Sequence, residues 1–279
     1  MRGWWQDLTD LVLPAECGGC GRPRTVLCAE CRAALMGAAP RRVRPVPEPP
    51  GLPVVHAAAP YEDEVRAALL AHKERGALML AGPLGMALAG AVRAGLASGG
   101  GPPGAPVLLV PVPSARRSVR ARGHDPARRI ALAAAGELRR TGTPARVLAV
   151  LRQRRAVADQ SGLGSRQRLA NLSGALEVAA GGTRLLADGS RAVLVDDLMT
   201  TGASLAEAAR ALRTAYAEVS GAYDRVTHKA MAEEVPQATV AKADRPEAVA
   251  GMDGPSGTGG KVGAAVVAAS PASFEINRN

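Results

Sequence analysis

The sequence predicts an α/β protein: a mostly parallel, doubly wound sheet preceded by a small four-cysteine module. Three observations carry that prediction. Apolar runs of strand length alternate along the chain with helix-length amphipathic segments, which implies parallel strands joined by crossover helices. Two of those runs, "VLLVPVP" and "AVLV", are continuously apolar, as strands covered on both faces must be. All four cysteines fall within "CGGCGRPRTVLCAEC", as two CxxC pairs.

The elements are expected in the following order. Trp4 to Leu13 reads as a short helix, because Trp4, Trp5, Leu8, Leu11 and Val12 lie near helical spacing. With the cysteines it forms an N-terminal module over 1–36, and the Pro-rich 37–53 reads as a linker. Val54 to Tyr61 is a strand. "EDEVRAALLAHKERG" follows as a helix with acids in its first turn and Lys73 and Arg75 in its last. Gly82 to Leu96 is a helix, "SGGGPPGAP" a loop, and Val107 to Pro113 a buried strand. Asp125 to Leu138 is a helix, Val147 to Leu151, Ala175 to Val178 and Ala192 to Val195 are strands, and Ala203 to Thr214 is a helix. Residues 54–214 thus make the main domain. Periodicity then fades over 215–261, which reads as a flexible insertion, before "KVGAAVVAASP" in 262–279 returns as a final strand.

Composition narrows the function. Aromatic residues make up 2% of the chain, so the core must be built from Ala, Val and Leu. The net charge of +10 is concentrated: Ser114 to Arg168 holds fourteen Arg against Asp125, Glu137 and Asp159. Such a field suits a polyanion, either nucleic acid or a polyphosphorylated small molecule, or else forms a solvated basic face. Gln6, Asp7 and Asp10 interrupt any apolar leader. The longest uncharged apolar run, Ala77 to Val92, contains Gly82, Pro83, Gly85 and Gly90 and falls short of the ~20 residues that span a bilayer. No membrane span and a cytoplasmic location are expected.

Cys17, Cys20, Cys28 and Cys31 suit a tetrahedral S₄ site, since each CxxC turn aims two sulfurs at one ion. Zinc in a closed, structural site is expected. The competing reading is a pair of disulfides, which a reducing compartment disfavours.

"RAVLVDDLMTTGAS" carries the chemistry. The strand is expected to stop at Asp196 and Asp197, with a helix starting at Ala203. Backbone N–H groups there converge with the hydroxyls of Thr200, Thr201 and Ser204, and Gly202 would allow close approach, which makes a phosphate cradle. Carboxylates beside phosphate need other work, and ribose hydroxyls supply it by donating to them. The plainer alternative is a solvated acid pair followed by a helix cap.

The acid pair with Thr-Thr-Gly resembles the phosphoribosyl pyrophosphate (PRPP) signature of type I phosphoribosyltransferases. Together with the cysteine knuckle, "HKERG", "VPVPSARRSVRARG" and "DQSGLGSRQRLANLSGAL", the chain from Leu11 to Leu212 resembles the ComF family. The resemblance implies a type I phosphoribosyltransferase sheet and PRPP bound with Mg²⁺. It implies that Asp196 and Asp197 hold the ribose hydroxyls and that Thr200, Thr201, Gly202, Ala203 and Ser204 wrap the 5′-phosphate. Pro113, Ser114, Arg116 and Arg117 would form the pyrophosphate loop, and Lys73 would meet pyrophosphate or serve as an ordinary helix-end charge. Arg154, Arg155 and Gln160 would belong to a flexible lid spanning Arg152 to Arg168. "RGHDP" stands where the family has an aromatic and Asn-Gln, so His124 is either a general base or a loop residue before a helix capped by Asp125 with Pro126 first. Three functions follow: a transferase with an unidentified acceptor, a non-catalytic PRPP-binding protein, or a competence factor that meets single-stranded DNA. Scarce rings weaken the last, because sequence-tolerant strand binding relies on stacking.

Overall fold

The computed structural model describes residues 16–99, 104–155, 165–186, 190–233 and 262–277. The expected Trp4–Leu13 helix, Gln160 and the 234–261 part of the expected insertion lie outside them. The described chain is an α/β structure around a six-stranded, mostly parallel sheet. Its strands are β1 (Arg41–Val43), β2 (Val55–Pro60), β3 (Val107–Pro111), β4 (Ala145–Val147), β7 (Arg191–Met199) and β8 (Gly263–Ala269). They lie in the order β1-β2-β8-β7-β3-β4, and only the pairing of β1 with β2 is antiparallel. β5 (Leu151–Gln153) and β6 (Leu176–Val178) form a separate antiparallel pair.

The helices are α1 (Ala29–Met36), α2 (Asp63–Glu74), α3 (Ala81–Ser98), α4 (Arg116–Arg122), α5 (Pro126–Arg140), α6 (Ser165–Leu172), α7 (Gly182–Leu186) and α8 (Ala203–Glu233). They cover both sheet faces. On one, Leu69, Leu84, Leu88, Ile130 and Leu138 of α2, α3 and α5 pack with Leu109, Val195 and Val267 of the strands. On the other, Leu205, Ala208 and Leu212 of α8 pack with Leu108, Leu194 and Val266. Small Ala and Val side chains fill much of this core, as a chain poor in rings requires.

The four-cysteine segment is built into the first core. Cys17, Leu27, Cys28, Cys31 and Leu35 are buried in the same cluster as Val65, Leu80 and Leu84.

Several elements differ from expectation. The supposed linker contributes β1, whose Arg42 and Val43 pair with His56 and Val55. The run read as one strand over Val147 to Leu151 is broken: β4 closes the main sheet and β5 leaves it. The helix read as ending at Thr214 continues to Glu233, so 215–233 is helical. "KVGAAVVAASP" forms β8 in the middle of the sheet, between β2 and β7. Its Ala-Val-Val-Ala run is fully buried, which explains why an isolated apolar segment follows so polar a stretch.

The segment Leu78–Ser98, 21 residues, is long and apolar enough to cross a bilayer, a longer stretch than the uncharged run suggested. It is a core helix here: Leu84, Leu88, Ala89, Ala91 and Val92 are buried, and α3 packs on α5, β8 and β2.

Candidate functional site

Adjacent parallel strands end at the same edge of a sheet, and this edge gathers the site. β3 pairs with β7 from Val107↔Arg191 to Pro111↔Val195, and Val112 N–H still donates to Val195 O at 2.9 Å. The loop after β3, Pro113 to Arg117, is therefore brought beside the acid pair and the loop after β7. Contrary to expectation the strand does not stop at the acids: β7 runs through Asp196 and Asp197 to Met199. Continued pairing of Asp196 with Val266 and of Leu198 with Ala268 holds it. The carboxylates thus project from a paired, rigid strand end.

Asp197 is buried, and its Oδ2 lies 3.0 Å from Lys73 Nζ. Only β8 separates β2 from β7, about 10 Å at ordinary strand spacing, so the last turn of α2, which follows β2, can reach the acid. Burial pushes the Lys73 ammonium down, but the charges of Asp197 and Asp196 more than offset it and hold it above its usual range. Asp196 Oδ1 accepts the Asp197 N–H at 2.9 Å. Desolvation, followed by the neighbouring Asp197 charge, raises the Asp196 carboxyl well above the usual carboxylate range, with Lys73 opposing.

These groups open into a cleft of about 940 Å³, large enough for a sugar carrying several phosphates. Of the expected residues, Lys73, Pro113, Ser114, Arg116, Arg117, Arg154, Arg155, Asp196, Asp197, Thr200 and Ser204 line it. Arg122 and Glu74, which the sequence reading did not select, line it too, paired to each other at 3.0 Å. The cationic lining exceeds the acidic, and the side chains of Arg116, Arg117 and Arg154 have no hydrogen-bond or ion-pair partner among the described residues. Arg116 and Arg117 are exposed on α4, a helix hidden in the sequence because its positions are arginines without an apolar period.

The turn after β7 has two sides. Thr200 and Ser204 face the cleft, while Thr201, Gly202 and Ala203 do not line it. Gly202 has φ +73°, the left-handed region that favours glycine, and an added Cβ would sit 3.1 Å from Leu52 Cδ1 and 3.3 Å from Pro45 Cγ. Its missing side chain therefore admits the loop between β1 and β2, rather than a phosphate. Ala203 is buried at the start of α8.

The β5–β6 pair forms the opposite wall. Arg154 N–H donates to Ala175 O, and Arg155 donates to Asn171 O and Ser173 O at 2.8 Å each. Glu207 fixes this wall to α8: buried in the core, it accepts from Leu176 N–H at 2.9 Å and from Arg210, which also donates to Leu176 O. Burial pushes the Glu207 carboxyl up, yet the Arg210 and Leu176 hydrogen bonds prevail and hold it low. An Arg three residues after a Glu in a helix reads in sequence as a surface pair, so this role was not visible there.

His124 lies outside the cleft lining. Its Nδ1 is 3.2 Å from Arg122 O and its Nε2 is 3.2 Å from His72 O, so it ties α4 to α2 instead of facing a substrate. Asp125 caps α5 as read, accepting the Arg128 N–H at 3.2 Å with Pro126 in the first turn.

The second cluster is Cys17, Cys20, Cys28 and Cys31, whose sulfurs all lie within 4.8 Å of one another, with no disulfide among them. This spacing is compatible with a zinc site. Cys28 N–H donates to Cys17 Sγ at 3.3 Å. Burial pushes the Cys17 thiol up, but N–H groups of Cys28, Cys20 and Gly19 bring it down to about 6. Burial and the neighbouring sulfurs push Cys31 up. Four crowded sulfurs cannot all carry charge without a cation between them, which is the chemistry a dication supplies.

No protein-family model matches the chain, and no curated protein matches it significantly.

Proposed function

We propose that the cleft binds PRPP as its Mg²⁺ complex and transfers the phosphoribosyl group to an acceptor, releasing pyrophosphate, in a protein of the ComF kind with a type I phosphoribosyltransferase sheet. The observation that carries this reading is the pairing of β3 with β7, which sets Ser114, Arg116 and Arg117 against Asp196, Asp197 and Thr200 across one cleft. Carboxylates suit ribose hydroxyls, and a cationic, hydroxyl-bearing surround suits phosphate at both ends of the sugar. Carboxylate oxygens are also hard donors that fit a Mg²⁺ complex, and the ion would neutralise charge on the departing pyrophosphate.

Asp196 and Asp197 would orient the ribose by accepting hydrogen bonds donated by its hydroxyls. When the bond between the anomeric carbon and the pyrophosphate oxygen breaks, the electron pair leaves with pyrophosphate. Arg116, Arg117 and Lys73 would stabilise that growing charge while the acceptor's nucleophilic atom forms the new bond. The Lys73–Asp197 ion pair keeps the ammonium charged inside a half-closed cleft. Arg154 and Arg155, on the opposite wall, would limit water access.

The four cysteines would hold structural zinc, and the protein would work in the cytoplasm. Single-stranded DNA would meet the same arginines, but among the described side chains the aromatic rings are Tyr61, Tyr216 and Phe274, and none is exposed for stacking. The transferase reading is tested by following pyrophosphate release from PRPP and MgCl₂ across a panel of nitrogen and oxygen nucleophiles. Acceptor-dependent release that falls roughly 100-fold in Lys73→Ala is expected, in line with loss of one charge-stabilising donor. Release at equal rates from wild type and Lys73→Ala would contradict it.

A further inference from the structure

The resemblance places Arg168 at the end of a segment expected to close over PRPP, without assigning it a contact. Arg168 lies on α6, and its Nη1 is 3.5 Å from Thr200 Oγ1, a long contact at the start of the turn into α8. Its Nε is buried and has no hydrogen-bond partner. No carboxylate pairs with it among the described residues, whereas the neighbouring Arg152 and Arg210 are paired to Glu177 and Glu207.

A guanidinium has five donors in a planar fork, and a buried donor left unpaired is costly. Here the fork carries one long contact to a hydroxyl, beside the cleft wall formed by Thr200 and Ser204. An anion seated against that wall would take up the free donors of Arg168 and the Thr200 hydroxyl together. A phosphate monoester fits, because its dianion accepts two parallel bonds from arginine.

We infer that Arg168 is the counter-charge for the 5′-phosphate of the ligand and makes the site selective for a phosphorylated sugar. This rests on the proposed PRPP cleft and assigns its far end. Arg116 and Arg117 then serve the pyrophosphate, and Arg168 serves the monoester.

Calorimetric titration of ribose 5-phosphate, of pyrophosphate with Mg²⁺, and of PRPP with Mg²⁺ separates the two ends. The proteins are wild type, Arg168→Gln and Arg168→Lys, each checked for an unchanged urea midpoint. Arg168→Gln is expected to weaken ribose 5-phosphate roughly 10- to 100-fold, the range for a charge-assisted contact, and to leave pyrophosphate unchanged. Arg168→Lys should restore part of the loss. Equal ribose 5-phosphate affinity in wild type and Arg168→Gln would overturn the assignment, as would equal losses for both probes or no binding of ribose 5-phosphate by wild type. Binding of ribose 5-phosphate but not PRPP by wild type would uphold Arg168 and contradict the PRPP reading. If Arg168→Gln shifts the urea midpoint, the Arg168→Lys protein decides: ribose 5-phosphate affinity above that of Arg168→Gln supports the assignment, and affinity as weak as in Arg168→Gln refutes it.

Discussion

Asp196 sits in a costly environment for a carboxylate, raised by desolvation and by the charge of Asp197. Its folded-state value lies above its unfolded one, so the native protein binds more protons than the unfolded chain between the two. Stability therefore falls as pH rises through that window. Removing the charge should relieve the conflict: Asp196→Asn is expected to raise the neutral-pH unfolding free energy by about 0.5–2 kcal/mol, measured by urea denaturation, while weakening Mg²⁺·PRPP. Ligand hydroxyls require the ionised form, so PRPP affinity in wild type should increase with pH as Asp196 loses its proton, and Asp196→Asn should flatten that dependence. The buried His72 shifts the opposite way, lowered by desolvation. It resists charging when folded, so stability is lost as pH falls below about 6.5, where the unfolded imidazole begins to protonate. The His72→Asn protein should lose less of its urea midpoint between pH 7.5 and 5.5 than wild type does. Both acids could be read from the sequence as site residues, because two carboxylates at the end of an apolar run have few structural uses. Arg168 and Glu207 could not, since each depends on what a distant helix brings near.

At the scale of elements, the α3–α5 contact sets the shape of the covered sheet face. Gly85 lets the helices meet: a Cβ there would lie 2.5 Å from Ala133 Cβ and 2.8 Å from Ala134 N. Backbone cannot yield as a side-chain tip can, so Gly85→Ala is expected to cost about 1–3 kcal/mol in unfolding free energy. Gly136→Ala, in α5 with nothing beyond its chain neighbours within 4 Å of the new methyl, should instead stabilise by about 0.5–1 kcal/mol. Thermal melts of the two variants check the contrast. The longer elements were legible for a physical reason: α3, α5, β3 and β7 each bury enough apolar surface to impose a period or a run. β1 and β4, three residues each, are fixed by pairing with β2 and β3 instead of by their own pattern. The extension of β7 past its acids is likewise fixed by β8, which arrives from far along the chain.

For the whole molecule, the cysteine cluster shares a core with α2, the helix that delivers Lys73 to Asp197. Leu80, beside the knuckle, is packed so closely that a Cβ on Gly18 would meet its methyls. If the four cysteines hold zinc as proposed, a chelator should lower the melting temperature of the entire domain in a single shifted transition, together with loss of bound zinc by elemental analysis. The alternation of strands and helices made the sheet legible, but its order was not, because the central position of β8 depends on a segment more than sixty residues after β7 begins. That order sets the spacing of the cleft walls. The most direct test is calorimetric titration of PRPP with Mg²⁺ into the zinc-loaded protein and into the Asp196→Asn/Asp197→Asn variant. Saturable binding by wild type that the variant loses is the predicted result. A folded wild type that binds no PRPP would contradict the assignment of the cleft.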